Sequence, residues 1–348
     1  MKFIELANIS LDGEIITREQ CRQVLNCSDK EVLALLDAAY EVRHHHFGNV
    51  VHIQVLTNAK SGLCPEDCHY CSQSRVSTAD IEKYPLMSKD KLVKEAQRAK
   101  QLKAKRYCMA LSGRSPSDKE IDELCEIISA IKENTQLSVC CSLGLLEEGQ
   151  AERLKAAGLD RVNHNLNTSQ RFHPRICTTH TYQDRLQTLF RCRAAGLEVC
   201  SGGIVGQGET EEDIIDLLTA VREVEADSIP LNFLIPIKGT PFEDRTNELN
   251  PRRCLKILCL ARFLNPDHEI RVAGGREYHL RSLQPLSLYA ANSIFVSGYL
   301  TTGGQSADEA LQMIADLGFE LEVEGMAKSP EIAVHPPLPK DPVEASGT

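Results

Sequence analysis

Cys64, Cys68 and Cys71 stand in the order C-x3-C-x2-C, within the run Cys64-Pro-Glu-Asp-Cys68-His-Tyr-Cys71. Three thiolates at this spacing can converge on one compact metal centre. A fourth would close a zinc or cubane site, whereas three leave one position open for chemistry. Two blander alternatives are a structural zinc ion completed by His69 or a distant residue, and three independent reduced thiols.

A second set emerges from strand parity, because side chains alternate between the two faces of a strand. In the run from Lys105 to Leu111, Arg106, Cys108 and Ala110 share a face. Cys140 shares a face with Ser138 and Ser142, and its neighbour Cys141 points the other way. Glu198, Cys200 and Gly202 share a face, as do Arg271 and Ala273. Strands packed on both sides are ordinarily near-continuous apolar runs, so charged residues within them need partners. If these faces look inward, Cys108, Cys140, Cys200 and Arg271 could meet, with Arg106 pairing with the charge there or with Glu198. Taken singly, a buried strand cysteine is usually a small hydrophobe. Cys21, Cys27, Cys125, Cys177, Cys192, Cys254 and Cys259 are expected to be of that ordinary kind.

Asn163, Asn165 and Asn167 recur at every second position. Buried amides need partners, so they form either a structural polar ladder or a binding wall. The run from Cys200 to Thr210 is a glycine-rich strand-to-helix connection without the Walker lysine pattern, so a phosphate loop is not expected. His44-His45-His46 looks like a solvated helix end. Lys89 to Lys105 alternates lysine with apolar residues, as an exposed helix face does.

Regular elements must position these groups. Short β-rich runs fall at 50–56, 105–111, 136–142, 160–166, 197–204, 228–235, 268–273 and 292–296. Helical patterns lie between them, at 88–103, 117–133, 147–157, 180–195, 210–225 and 251–264, with Gly158 and Gly196 at helix ends. Residues 16–46 are helical in pattern, with capping boxes beginning at Thr17 and Ser28. Eight βα repeats over about 270 residues match an α/β fold of the (β/α)8 TIM-type barrel; an open doubly wound sheet is the alternative. The expected layout is an N-terminal helical extension over 1–47, a barrel over 48–322 and a disordered tail over 323–348. Five of the 15 prolines fall between Pro330 and Thr348, which supports the tail.

The 14 cysteines among 348 residues lie far below the roughly 8–10% of a disulfide scaffold. No secretory signal or membrane span is evident, so a cytoplasmic protein is expected. A formal charge of −10 without a basic stripe argues against nucleic acid.

The C-x3-C-x2-C loop after the first barrel strand resembles that of the radical S-adenosylmethionine superfamily. The resemblance implies a [4Fe-4S] cluster on Cys64, Cys68 and Cys71, with S-adenosyl-L-methionine on its open iron and Tyr70 against the adenine. Further runs, among them those around Cys108, Asn163, Cys200, Asn232, Arg271 and Ser293, are similar to the biotin synthase family within it and span roughly residues 50–320, in order. That resemblance implies an auxiliary [2Fe-2S] cluster on Cys108, Cys140, Cys200 and Arg271, which gives its sulfur to dethiobiotin. It places Asn163, Asn165 and Asn232 on the substrate, whose ureido ring offers both donors and an acceptor. Asn167 matches a ribose-contacting position that is Asp in some relatives, and Gly202 and Gly203 lie where backbone approaches the cofactor. A sulfurtransferase, a homodimer and a flavodoxin or ferredoxin electron donor are likewise implied. Attack on unactivated C–H bonds needs a cofactor, so no acid–base pair is nominated. Two rivals are another radical barrel enzyme, a mutase or lyase, and a zinc-stabilised binding protein.

Overall fold

In the computed structural model, which describes residues 2–245, 249–296, 298, 300–301 and 303–322, ten parallel strands alternate with helices. The expected tail from 323 onward lies outside the described residues. The strands are β1 (Val50–Lys60), β2 (Arg106–Leu111), β3 (Ser138–Ser142), β4 (Arg161–Asn163), β5 (Glu198–Cys200), β6 (Gly203–Val205), β7 (Ser228–Phe233), β8 (Glu269–Val272), β9 (Ser293–Val296) and β10 (Glu320–Leu321). Neighbours pair in order from β1 to β9, and β9 pairs back onto β1, with His52 opposite Ser293. The sheet therefore closes. β5 and β6 both pair with β7 and act as one interrupted stave, so the barrel has eight. The open-sheet alternative is excluded.

The helices are α1 (Phe3–Leu11), α2 (Arg18–Asn26), α3 (Val32–Phe47), α4 (Lys89–Gln101), α5 (Asp118–Thr135), α6 (Gln150–Ala156), α7 (Tyr182–Ala194), α8 (Glu211–Glu223), α9 (Pro251–Leu264), α10 (Arg276–Leu280) and α11 (Ala307–Asp316). Both anticipated capping boxes form, at Thr17 and Ser28. The second of them starts a separate helix within the helical stretch expected over 16–46. The chain leaves α2 at Cys27 and restarts through a short 3-10 turn, Asp29–Glu31. Gly158 and Gly196 follow their helices at φ +95° and +76°, where a side chain would be strained.

The extension lies outside the barrel. It packs on α9, every residue of which from Cys254 to Leu264 is buried. Ser10 Oγ donates to the Phe263 carbonyl at 2.8 Å, and Arg253 Nη1 donates to that of Leu25 at 2.8 Å. α1 and β10 were not foreseen: α1 lacks a side-chain cap, and β10 is a two-residue bridge onto the start of β1.

The expected strand at 197–204 is divided at Ser201-Gly202. A Cβ at Gly202 would sit 2.0 Å from the Pro230 carbonyl oxygen, and one at Gly203 would sit 2.3 Å from Leu217 Cδ2. Glycine here permits β7 to approach. Gly202→Ala is therefore expected to cost at least the roughly 3 kcal/mol at the upper end of overpacking, because the obstacle is backbone and cannot rotate away. A thermal melt within 2 °C of the parent would contradict this packing account.

Candidate metal centres and the cavity between them

The segment after β1 carries Cys64, Cys68 and Cys71 to the C-terminal mouth of the barrel. Their thiols line a cavity of about 320 Å³ that continues inward to Cys108, Cys140 and Arg271. Asn163, Asn165, Asn167 and Asn232 line the same cavity, with Tyr70 near its mouth. Apolar wall is supplied by Leu56, Ile204, Leu234 and Phe295, among others.

Strand register sets the inner group. Cys108 on β2 lies directly beside Cys140 on β3, and Asn163 on β4 lies beside Cys200 on β5. Cys108 and Cys140 share an interior apolar cluster with Ala273 and Phe295, whereas Cys141 belongs to the main core behind the sheet. Arg271 Nη1 lies 3.6 Å from Cys200 Sγ, and Asn163 Nδ2 donates to the same sulfur at 3.2 Å. The Cys108 thiol donates to Gln54 Oε1 at 3.3 Å. A hydrogen bond from Cys140, reinforced against burial by the positive fields of Arg271 and Arg106, lowers the Cys108 thiol below its usual range. The same bond, with burial, pushes Cys140 up.

Below these sulfurs lies a charged floor that the sequence reading missed. Glu269 on β8 is buried among Arg106, Arg161 and Arg271. Its carboxylate also accepts from Gln54 Nε2 and Ser228 Oγ, both at 2.8 Å, and faces His52 Nδ1 at 3.1 Å. Burial opposes its charge, but the three arginines and His52 outweigh burial and hold the carboxyl well below the usual range. Glu269 shares parity with Arg271, so the alternation that selected Arg271 also pointed to it. Arg106 pairs with Glu198 at 3.4 Å, as expected, although Arg161 holds Glu198 more closely, at 2.6 Å.

The asparagines are individually fixed. The Gly202 N–H donates to Asn165 Oδ1 at 3.1 Å. Asn232 Nδ2 donates to the Gly203 carbonyl at 3.1 Å, and Asn232 Oδ1 accepts from the Gly274 N–H at 2.9 Å. β4 ends at Asn163, sooner than the strand expected to 166. Asn167 adopts φ +70° and donates to the Tyr70 hydroxyl at 2.6 Å, which ties the loop to the stave opposite. Asparagine tolerates that conformation better than most residues. Gly202 and Gly203 are not among the residues lining the cavity; a Cβ at Gly202 would meet the Pro230 backbone, and one at Gly203 would meet Leu217 of α8 and the Asn167 carbonyl.

Cys177, expected to be an ordinary apolar residue, is not one. Its sulfur lies 3.8 Å from Cys68 Sγ and within reach of His180. The hydrogen bond from Cys68, with help from His180 and Thr179, lowers its pKa to about 4 despite burial. Among the described residues, Cys68, Cys177 and His180 are the one trio of such ligands whose donor atoms all lie within 4.8 Å of one another. Neither the loop trio nor the interior trio meets that criterion. Both are all-thiol donor sets, which suit iron and sulfide.

A parallel barrel with three loop cysteines at its C-terminal mouth defines a radical S-adenosylmethionine barrel. Residues 60–221 match the Radical SAM superfamily, and residues 230–320 match the Biotin and Thiamin Synthesis associated domain. The chain is 52% identical over 332 residues to the biotin synthase of Geobacillus kaustophilus, covering 95% of this chain and 98% of that one. To the biotin synthase of Rhodopirellula baltica it is 52% identical over 316 residues, or 91% and 88% of the two chains. The chain belongs to the biotin synthase family. Its fold is shared with methylornithine synthase, at a TM-score of 0.80 and 19% identity, covering 91% of this chain and 97% of that one. It is also shared with the FeFe-hydrogenase maturase of Carboxydothermus hydrogenoformans, at a TM-score of 0.78 and 17% identity, covering 92% and 79%. Among the described residues, no helix is long and apolar enough to cross a membrane.

Proposed function

We propose that this chain is a sulfurtransferase that converts dethiobiotin to biotin. The observation that carries the proposal is one cavity lined by two separate thiol groups with amides between them. When bound, a [4Fe-4S] cluster on Cys64, Cys68 and Cys71 supplies the electron for radical cleavage of S-adenosyl-L-methionine, and a [2Fe-2S] cluster on Cys108, Cys140, Cys200 and Arg271 supplies the sulfur.

The protein's own contribution is position and field. Asn163, Asn165 and Asn232 present amide groups to the ureido ring. Because their other hydrogen bonds lock them, they lose little freedom on binding. Tyr70 is held against Asn167 and offers an apolar face toward the adenine, and Asn167 stands near the ribose. Leu56 and Phe295 keep the reacting carbons in apolar surroundings, where side reactions with water are suppressed. Arg106, Arg161 and Arg271 against Glu269 and Glu198 leave one excess positive charge beneath three cysteine sulfurs, which suits an anionic group there. His164, also on the cavity wall, is held neutral mainly by burial, with Arg185 adding to the effect. The barrel (48–322) is the catalytic unit in this proposal, and the extension (1–47) is its outer cover. A cytoplasmic homodimer served by a flavodoxin or ferredoxin belongs to the same proposal.

Anaerobically purified chain should carry about six irons, the sum of the two cluster types, and should be brown. Supplied with dethiobiotin, S-adenosyl-L-methionine and a low-potential reductant, it should form biotin. About four irons and no biotin would favour the mutase or lyase alternative, and a colourless zinc protein would sink both.

A further inference from the structure

Glu269 is a buried carboxylate to which the proposed chemistry gives no part beyond its charge. It precedes Arg271 by two residues on β8, so the two side chains share a face of the strand. Register sets Glu269 beside Ser228 on β7 and Arg271 beside Ser293 on β9. Those neighbours fix the guanidinium. Arg271 Nη2 meets the Glu269 carboxylate and donates to Ser228 Oγ at 2.8 Å, while its Nε donates to Ser293 Oγ at 3.2 Å. Nη1 is thereby turned toward Cys200 Sγ, 3.6 Å away. The same carboxylate has a second arm. Gln54 Nε2 donates to Glu269 Oε1 at 2.8 Å, and Gln54 Oε1 accepts from the Cys108 thiol at 3.3 Å. One carboxylate thus stands behind Cys108 on β2 and Cys200 on β5.

Charge is the second observation. Arg106 Nη1 lies 3.7 Å and Arg161 Nη1 lies 3.5 Å from Glu269, so with Arg271 three guanidinium groups surround it. The other acid of the group, Glu198, has a side chain 48% exposed, and solvent screens its charge. Glu269, 7% exposed, is screened far less. A negative charge opposes the arrival of an electron nearby, and a positive charge favours it. Reduction potentials of iron–sulfur centres follow net charge and the hydrogen bonds around their sulfurs. Glu269 bears on both.

We propose that Glu269 is a positioning residue for the inner centre: it aims Arg271, and its charge lowers the potential at which a group held by Cys108, Cys140, Cys200 and Arg271 takes up one electron. The proposal rests on the two-cluster reading above. In that reading one low-potential reductant serves a chain with two centres, and the electron is needed at Cys64, Cys68 and Cys71. Glu269 disfavours its loss to the inner centre.

The test uses full-length chain holding both clusters, titrated anaerobically with dithionite and redox mediators and followed by visible circular dichroism. Glu269→Gln keeps the shape of the side chain and removes its charge. It should raise the reduction constant of the inner cluster about tenfold, which is about 59 mV for one electron. Arg161→Gln removes a charge of the opposite sign and should lower that constant by a similar factor. The double variant should return close to the parent. A loosened barrel interior would move both single variants in the same direction, and that result would overturn the proposal, as would two unmoved potentials. Far-ultraviolet circular dichroism and iron content identify a variant that has lost its fold or its inner cluster, and the sign of the shift in the other variant then decides. A parent that holds only about four irons would count against the proposed function itself; a full complement with unmoved potentials would count against Glu269 alone.

Discussion

Cys140→Ser is expected to lose the auxiliary cluster's absorbance and about two of about six irons, while Cys141→Ser keeps both. The two residues are adjacent and equally buried, so composition and exposure do not distinguish them. Direction does. Cys140 faces the interior beside Cys108, and Cys141 packs behind the sheet among the apolar side chains that face the helices. Substituting a residue that merely supports a metal ligand costs 10–100-fold. Loss of a ligand itself should therefore reduce biotin formation by at least about 100-fold. Cys141→Ser should instead show a modest melting loss, from a hydroxyl buried among apolar groups at about 1–3 kcal/mol. Iron analysis, the visible spectrum and a biotin assay on both variants decide the matter. The reversed pattern would overturn the interior assignment.

Glu269→Ala should be the most destabilising single change in the barrel interior. Removing one partner of a buried ionic network costs about 3–5 kcal/mol, because the remaining charges stay buried without compensation. Here Arg106, Arg161 and Arg271 would all lose their shared carboxylate. A pH signature accompanies this. The folded Glu269 carboxyl is held well below its unfolded value, so its stabilisation is fully present above the unfolded pKa of about 4.3 and falls away as pH drops below it. Melting temperature measured from pH 7 to pH 3 should fall more steeply in the parent than in Glu269→Gln. Parallel curves would show that Glu269 contributes little to acid stability.

Much of this arrangement was legible because the relevant signals are local or periodic. The C-x3-C-x2-C run fixes its own loop, and the two-residue period of a strand separates Cys140 from Cys141. Capping boxes at Thr17 and Ser28 announce two helix starts, and α2 and α3 follow them in turn. The floor was hidden for a different reason. Gln54, His52 and Glu269 come from strands far apart in sequence and acquire meaning only when β9 closes on β1. Cys177 was invisible for the same reason, because its neighbour Cys68 lies 109 residues away. Gly202 also answers to a neighbour distant in sequence, because a Cβ there would meet the backbone of Pro230.

The charged floor also makes the barrel a blind tube. His52 Nε2 meets Glu322 at 2.5 Å, Lys105 holds the same carboxylate at 2.7 Å, and Glu269 with its arginines fills the space above. Traffic to the inner sulfurs must then run past Cys64, Cys68 and Cys71. In the two-cluster function proposed above, iron, sulfide and substrate share one doorway, so order of arrival becomes a property of the architecture. What belongs deepest must enter first, and whatever settles at the doorway governs everything behind it.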